Sequence, residues 1–208
     1  RHIDSLGGRY ITTEDVGSSQ EDMVAIRQTT RYVVGLPTSL GGSGDPSKAT
    51  GFGIWNGMKA CIQNSFGTQS FEGMRIVLQG FGKVASYLAE HLLQENVTLI
   101  VSDVNKNALL RAEKLGCLIV ENPEKVYDTP CDIFSPCALG GTLNPTTIPR
   151  LQCKVVAGCA NNQLLNDSDG DLLEEREILY APDYVINAGG VINLSFEFPG
   201  PYAEVNAF

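Results

Sequence analysis

Arg75-Ile-Val-Leu-Gln-Gly-Phe-Gly-Lys-Val-Ala85 is the stretch on which the fold turns. Its first five residues read as a short strand, and the Gly-x-Gly-x-x-Ala pattern from Gly80 to Ala85 reads as a tight turn opening a helix predicted over Val84 to Glu95. In such a turn the first glycine permits the reversal and the second lets backbone approach a pyrophosphate. The small alanine lets helix and strand pack closely. The first helical amides and the partial positive charge of the helix then face the phosphates. By itself the pattern also marks an ordinary tight turn. Here Asp103 ends the next predicted strand, at roughly the 20-residue spacing where a carboxylate accepts hydrogen bonds from the adenosine ribose. A 2′-phosphate would meet like charge there, so NAD is expected over NADP. The alternative role for Asp103 is to cap the helix predicted to begin near Asn105.

Outward from this stretch, short β-branched runs alternate with helical ones. Strands are predicted at Val97–Ser102, Cys117–Val120, Asp132–Ser135, Lys154–Ala157 and Tyr184–Ile186, with helices over Asn105–Leu115 and Asn166–Arg176. Runs apolar on both faces suit a parallel sheet covered on each side, so the fold class is α/β, a doubly wound parallel sheet. The first 46 residues read differently. Arg9–Thr12 is a candidate strand, Ser18-Ser-Gln-Glu21 has the form of a capping box opening a helix that runs to about Thr30, and Gly35–Gly44 before Pro46 reads as a hinge loop. A helix from about Ser47 to Asn64 would carry Trp55, Met58 and Ile62 on one core-facing side.

A net charge of −9 disfavours nucleic acid or an anionic membrane as partner. No apolar run reaches the ~18–20 residues of a membrane span, and Arg1–Tyr10 has no signal-peptide core, so the cytoplasm is expected. Six cysteines without a Cys-x-x-Cys pair, and only two histidines, give no metal-site spacing. Reduced thiols, most of them buried as small apolar side chains, are the expectation.

Four separated segments add a resemblance. Arg9-Tyr-Ile-Thr-Thr-Glu-Asp-Val-Gly17, Asp132-Ile-Phe-Ser-Pro-Cys-Ala-Leu-Gly140, Ala160-Asn-Asn-Gln163 and Ala181-Pro-Asp-Tyr-Val-Ile-Asn-Ala-Gly-Gly-Val-Ile-Asn193 resemble the glutamate/leucine/phenylalanine/valine dehydrogenase family, most of all its leucine dehydrogenase branch. The resemblance implies a Rossmann-like NAD-binding domain over 47–208, preceded by a remnant of a first, catalytic and oligomer-forming domain plus hinge over 1–46. It implies NAD-dependent oxidative deamination of an L-amino acid to a 2-oxo acid and ammonia, and a homo-oligomeric full-length protein.

By resemblance, Gly80, Phe81, Gly82, Lys83 and Val84, with Asp103 and Val104, hold the cofactor's pyrophosphate and adenosine. Cys137, Ala138, Ala160 and Asn161 cradle the nicotinamide ribose, while Thr50 and Asn187 stand near both nicotinamide and substrate. Asp15 takes the place of the catalytic aspartate. Val191 and Leu194, three apart on one helix face, match the side-chain pocket. Both are apolar, which implies leucine, isoleucine or valine as substrate, with an aromatic amino acid (phenylalanine or tryptophan) as the alternative. The residues themselves leave simpler readings open: turn chemistry for Asp15, Asn161 and Asn162, helix ends for Thr50 and Asn187, core packing for Val191 and Leu194. The family's catalytic lysine precedes the aspartate, yet none of the 14 residues before Asp15 is lysine. The expectation is therefore a chain truncated at both ends, and a catalytically incompetent NAD-binding module is the competing reading.

Overall fold

Ile76, Val77 and Leu78, at the centre of β1 (Arg75–Gln79), are fully buried. Ile76 and Leu78 enter one core and Val77 another, so this strand must lie inside a sheet covered on both faces. The computed structural model, which describes residues 1–197, has that sheet. Its other strands are β2 (Thr98–Ser102), β3 (Leu118–Ile119), β4 (Ile133–Pro136), β5 (Val155–Val156) and β6 (Leu179–Tyr180). All pairings are parallel, in the order β3-β2-β1-β4-β5-β6. The order reverses between β1 and β4, which is the doubly wound arrangement expected.

The described residues form eight α-helices: α1 (His2–Ser5), α2 (Gln20–Arg27), α3 (Pro46–Phe66), α4 (Lys83–Leu93), α5 (Lys106–Lys114), α6 (Asp169–Glu175), α7 (Asp183–Ile186) and α8 (Gly189–Ser195). One core joins Ile54, Met58 and Ile62 of α3, Leu88 and Leu92 of α4 and Ala108 and Ala112 of α5 to the sheet. The opposite core joins Val77, Ile100, Phe134 and Val156 to Tyr127, Ile148 and Leu173. Each fully buried Leu, Ile or Val side chain contributes roughly 1.5–3 kcal/mol. Of the three residues expected on one face of α3, Met58 and Ile62 are fully buried, while Trp55 is partly buried under the Lys59 ammonium, 3.8 Å from its ring centroid.

The chain divides into two compact units, one of Thr50–Gly189, the other of Arg1–Ala49 with the described residues from Gly190 onward. In the latter, Met23 of α2 packs with Val33 and Leu36, and the Glu197 carboxylate accepts from the amides of Gly35 and Ser43. Residues 198–208 of the second predicted domain lie outside the described residues.

Several local expectations are corrected. Tyr184–Ile186 is not a strand but belongs to α7, and the last strand is Leu179–Tyr180. Pro182 and Asp183 start a helix, and Tyr184 and Val185 face outward, which a buried sheet position would not allow. The capping box is displaced by one residue: the Ser19 side chain accepts from the Asp22 amide, and Asp22 Oδ2 accepts from the Ser19 amide at 2.8 Å. Arg9–Thr12 forms only an isolated bridge, Thr12 to Val33. All six cysteines are free, but Cys117 alone is buried; the other five are partly exposed at the margins of the cores.

At Gly80 the backbone geometry disfavours any side chain. Its φ is +101°, and a Cβ there would sit 2.8 Å from the Ala138 amide nitrogen and 2.9 Å from the Cys137 carbonyl carbon. Left-handed strain of about 1–3 kcal/mol adds to an overpacking cost of about 1–3 kcal/mol. At roughly 2–4 °C per kcal/mol for a chain of this size, Gly80→Ala is expected to lower the thermal midpoint by roughly 5–15 °C, measured by circular dichroism. An unchanged midpoint would show that this turn yields freely.

Candidate functional site

The C-terminal ends of β1, β2, β4 and β5 converge on one edge of the sheet, and most of the residues singled out in the sequence gather there. Gly80 follows β1 and donates its amide to Ser102 O at 2.7 Å, so the turn is tied to the end of β2. Gly82 is the N-cap of α4 and, lacking a side chain, leaves the first-turn amides without a side-chain cap. It is exposed, and a Cβ built on it meets nothing within 4 Å, so the space above the turn is open. Lys83 is exposed and Val84 partly buried. The Phe81 ring is buried in the core, so only its backbone faces the turn.

Asp103 lies immediately past β2 and is partly exposed. Its Oδ2 accepts from the Phe81 amide and its Oδ1 from the Asn105 amide, both at 2.7 Å. The carboxylate therefore braces the glycine turn against the start of α5, with remaining lone pairs available to further donors. It is not the helix cap: Asn105 is, accepting from the Asn107 amide. Val104 beside it is 87% exposed, an apolar side chain left to solvent next to the acceptor. Arg111 of α5 completes the brace, donating to Phe81 O at 3.3 Å, a contact the sequence did not signal.

On the other side of the turn, Cys137 and Ala138 leave β4, with the Cys137 amide donating to Gln79 O at 2.8 Å. The loop after β5 carries Ala160, buried, and Asn161, exposed. Asn187 reaches this loop: its Nδ2 donates to Asn161 Oδ1 at 2.7 Å and to Cys159 O at 3.2 Å. It is the C-cap of α7 and does not start a helix. Two further residues hold the loop. The Asp183 carboxylate accepts from the Asn162 amide, and buried Gln163 donates to Gly158 O and Ala160 O at 2.9 and 3.0 Å. Burial pushes the Tyr180 phenol up to about 12, so it stays protonated 3.5 Å from Asp183 Oδ1. Thr50 is the fifth residue of α3 and so not its cap; Asp45 Oδ1 accepts from the Ser47 amide in that role.

The remaining candidates belong to the other unit. Asp15 is exposed in a turn closed by Ser18, its Oδ1 accepting from the Val16 amide at 2.7 Å. On α8, Leu194 is buried and Val191 exposed. Among the described residues no group of three or more His, Cys, Asp or Glu side chains is placed to hold a metal ion, and no helix is long and apolar enough to cross a membrane.

Comparison with known proteins places these features in context. The family model described as Glutamate/Leucine/Phenylalanine/Valine dehydrogenase matches residues 41–109 and 105–204. A leucine dehydrogenase of Bacillus cereus is 52% identical over 201 residues, 96% of this chain and 55% of the relative. A phenylalanine dehydrogenase of Caldalkalibacillus thermarum is 41% identical over 96% of this chain and 55% of its own length. The crystal structure of L-tryptophan dehydrogenase from Nostoc punctiforme superposes with a TM-score of 0.77 at 42% identity, covering 95% of this chain and 56% of that one. The chain thus spans about half the length of the relatives it matches.

Proposed function

Because this chain belongs to the glutamate/leucine/phenylalanine/valine dehydrogenase family, we propose that it is the NAD-binding part of an enzyme that oxidatively deaminates an apolar L-amino acid. The observation that carries the reading is Asp103. It is a partly exposed carboxylate at the end of β2, bonded to the glycine turn, beside open space over Gly82.

The groups present fit a dinucleotide. Uncapped α4 amides suit the pyrophosphate, and the Asp103 lone pairs suit the ribose hydroxyls. The exposed Val104 offers an apolar surface to the adenine. The turn residues Gly80 to Val84 supply the phosphate side of the site. Cys137, Ala138, Ala160 and Asn161 would line the ribose of the nicotinamide half, with Asn187 fixing the Asn161 side chain and Thr50 near the amide. The bound dinucleotide would supply the hydride acceptor; the chain's own part is to hold it on the strand ends and fix its orientation.

Asp15 is the proposed proton-handling carboxylate, and Thr50, Asn187, Val191 and Leu194 the proposed substrate contacts. The apolar pair on α8 favours leucine, isoleucine or valine. We place domain boundaries near residue 46, assign the whole protein to a cytoplasmic homo-oligomer, and take a small amino acid and its 2-oxo acid as its partners, with neither nucleic acid nor membrane.

Steady-state assay of the full-length protein with NAD tests the activity. NADH formation is expected with leucine, isoleucine and valine within about 10–200-fold of one another in kcat/KM, since one methylene is worth about 1–3 kcal/mol. Preference for phenylalanine or tryptophan would move the assignment to the aromatic branch that the 41–42% identical relatives represent. Calorimetric NADH binding without turnover of any amino acid would leave a binding module.

A further inference from the structure

Four of the six cysteines fall on β4, β5 and their flanks in matched positions. β4 and β5 pair Ile133 with Val155 and Phe134 with Val156, and beyond the ladder the Cys159 side chain reaches back to the Cys137 backbone at the C-terminal ends. The two strands stay tightly apposed up to this point. A Cβ on Gly158 would meet Pro136 O at 2.2 Å, and the Ala160 amide donates to Pro136 O at 3.0 Å. Cys159 Sγ donates to Cys137 O at 3.8 Å, and both side chains pack at the margin of the same core, partly exposed.

From this geometry we propose that Cys137 and Cys159 form an oxidisable dithiol that reacts with hydrogen peroxide and closes reversibly to a disulfide across the ends of β4 and β5. Cys137 is the attacking thiol. Ser135 Oγ lies 3.2 Å from its sulfur. Hydrogen bonding from Cys159 and from Ser135 holds the Cys137 thiol below its ordinary range, and the same partnership, with burial, holds Cys159 well above. In the first step an S–O bond forms on Cys137 as the peroxide O–O bond breaks. Hydroxide leaves and takes up the Cys137 proton, giving a sulfenic acid and water. In the second step Cys159 sulfur attacks Cys137 sulfur, the S–O bond breaks, and the departing hydroxide takes the Cys159 proton as a second water. Two thiols are oxidised and one peroxide is reduced to two waters. Neither step involves a dinucleotide, so the inference stands apart from the assigned activity.

The test treats the native, fully reduced protein with stoichiometric hydrogen peroxide. Titratable thiols per chain are expected to fall from six to four, the mass to drop by about 2 Da, and non-reducing peptide maps to join Cys137 to Cys159. Dithiothreitol should restore all six. In Cys159→Ser the reaction should stop at the sulfenic acid, trapped on Cys137 by dimedone. A map without the Cys137–Cys159 link, such as one joining only Cys131 to Cys153 at the opposite ends of the strands, would overturn the proposal. So would dimedone labelling that misses Cys137.

Discussion

Asp103→Ser is expected to weaken NADH binding by about 100-fold or more while leaving NADPH binding unchanged or improved. The carboxylate is partly exposed and already accepts two backbone amides, Phe81 and Asn105, so its position is fixed before any ligand arrives. A ribose donating two hydrogen bonds to such a charged acceptor gains about 1.5–3 kcal/mol from each, and about 1.4 kcal/mol is a factor of ten in affinity. Water recovers part of this in the variant, which is why the expected loss stands at the lower end of that range. NADPH is spared this loss because its 2′-phosphate is repelled by the carboxylate, and that repulsion is relieved in the variant. Calorimetric titration of both cofactors measures the ratio. A thermal melt accounts for the separate cost of releasing the glycine turn, whose Phe81 carbonyl Arg111 still holds. If both affinities fell by one common factor, Asp103 would be a brace for the turn and not a reader of the ribose.

Much of this site could be read from residue order because the residues involved obey local rules. A Gly-x-Gly-x-x-Ala turn needs only the strand before it and the helix after it. Asp103 needs only to end the next strand, and β1, β2 and α3 to α5 stand within a few residues of their predicted ranges. What escaped depends on contacts between distant segments. Arg111 meets Phe81 across 30 residues and Asp183 meets Asn162 across 21, and neither side chain differs in sequence from a solvated charge. The β6 error has a different origin. Tyr184-Val-Ile186 has strand composition, but Pro182 and Asp183 carry the stronger helix-start signal, and the two-residue β6 is too short for periodicity to register. The displaced capping box shows the same limit at the scale of one residue. Ser18 and Ser19 are equivalent in composition, and the Asp15–Ser18 turn occupies Ser18, leaving Ser19 to cap α2.

Gly82→Val separates binding from folding at the same turn where Gly80→Ala combines them. Gly82 has φ −80° and ψ −165°, an extended conformation open to any residue, and its Cβ would meet nothing within 4 Å. The fold should therefore tolerate valine, apart from a less favoured N-cap worth up to about 1 kcal/mol, or roughly 2–4 °C. The three added carbons would occupy the open space over the uncapped amides of α4, where the pyrophosphate must approach for those amides to reach it. NADH affinity is expected to fall by more than about 100-fold, because both the amide contacts and the favourable end of the helix are lost to the ligand together. The contrast with Gly80→Ala is the diagnostic: one substitution lowers the melting temperature through a clash with Cys137 and Ala138, the other abolishes calorimetric heat at a nearly unchanged melting temperature. A Gly82→Val protein that still bound NADH with native affinity would mean that the dinucleotide does not lie over this turn, and the role assigned to Asp103 would fail with it.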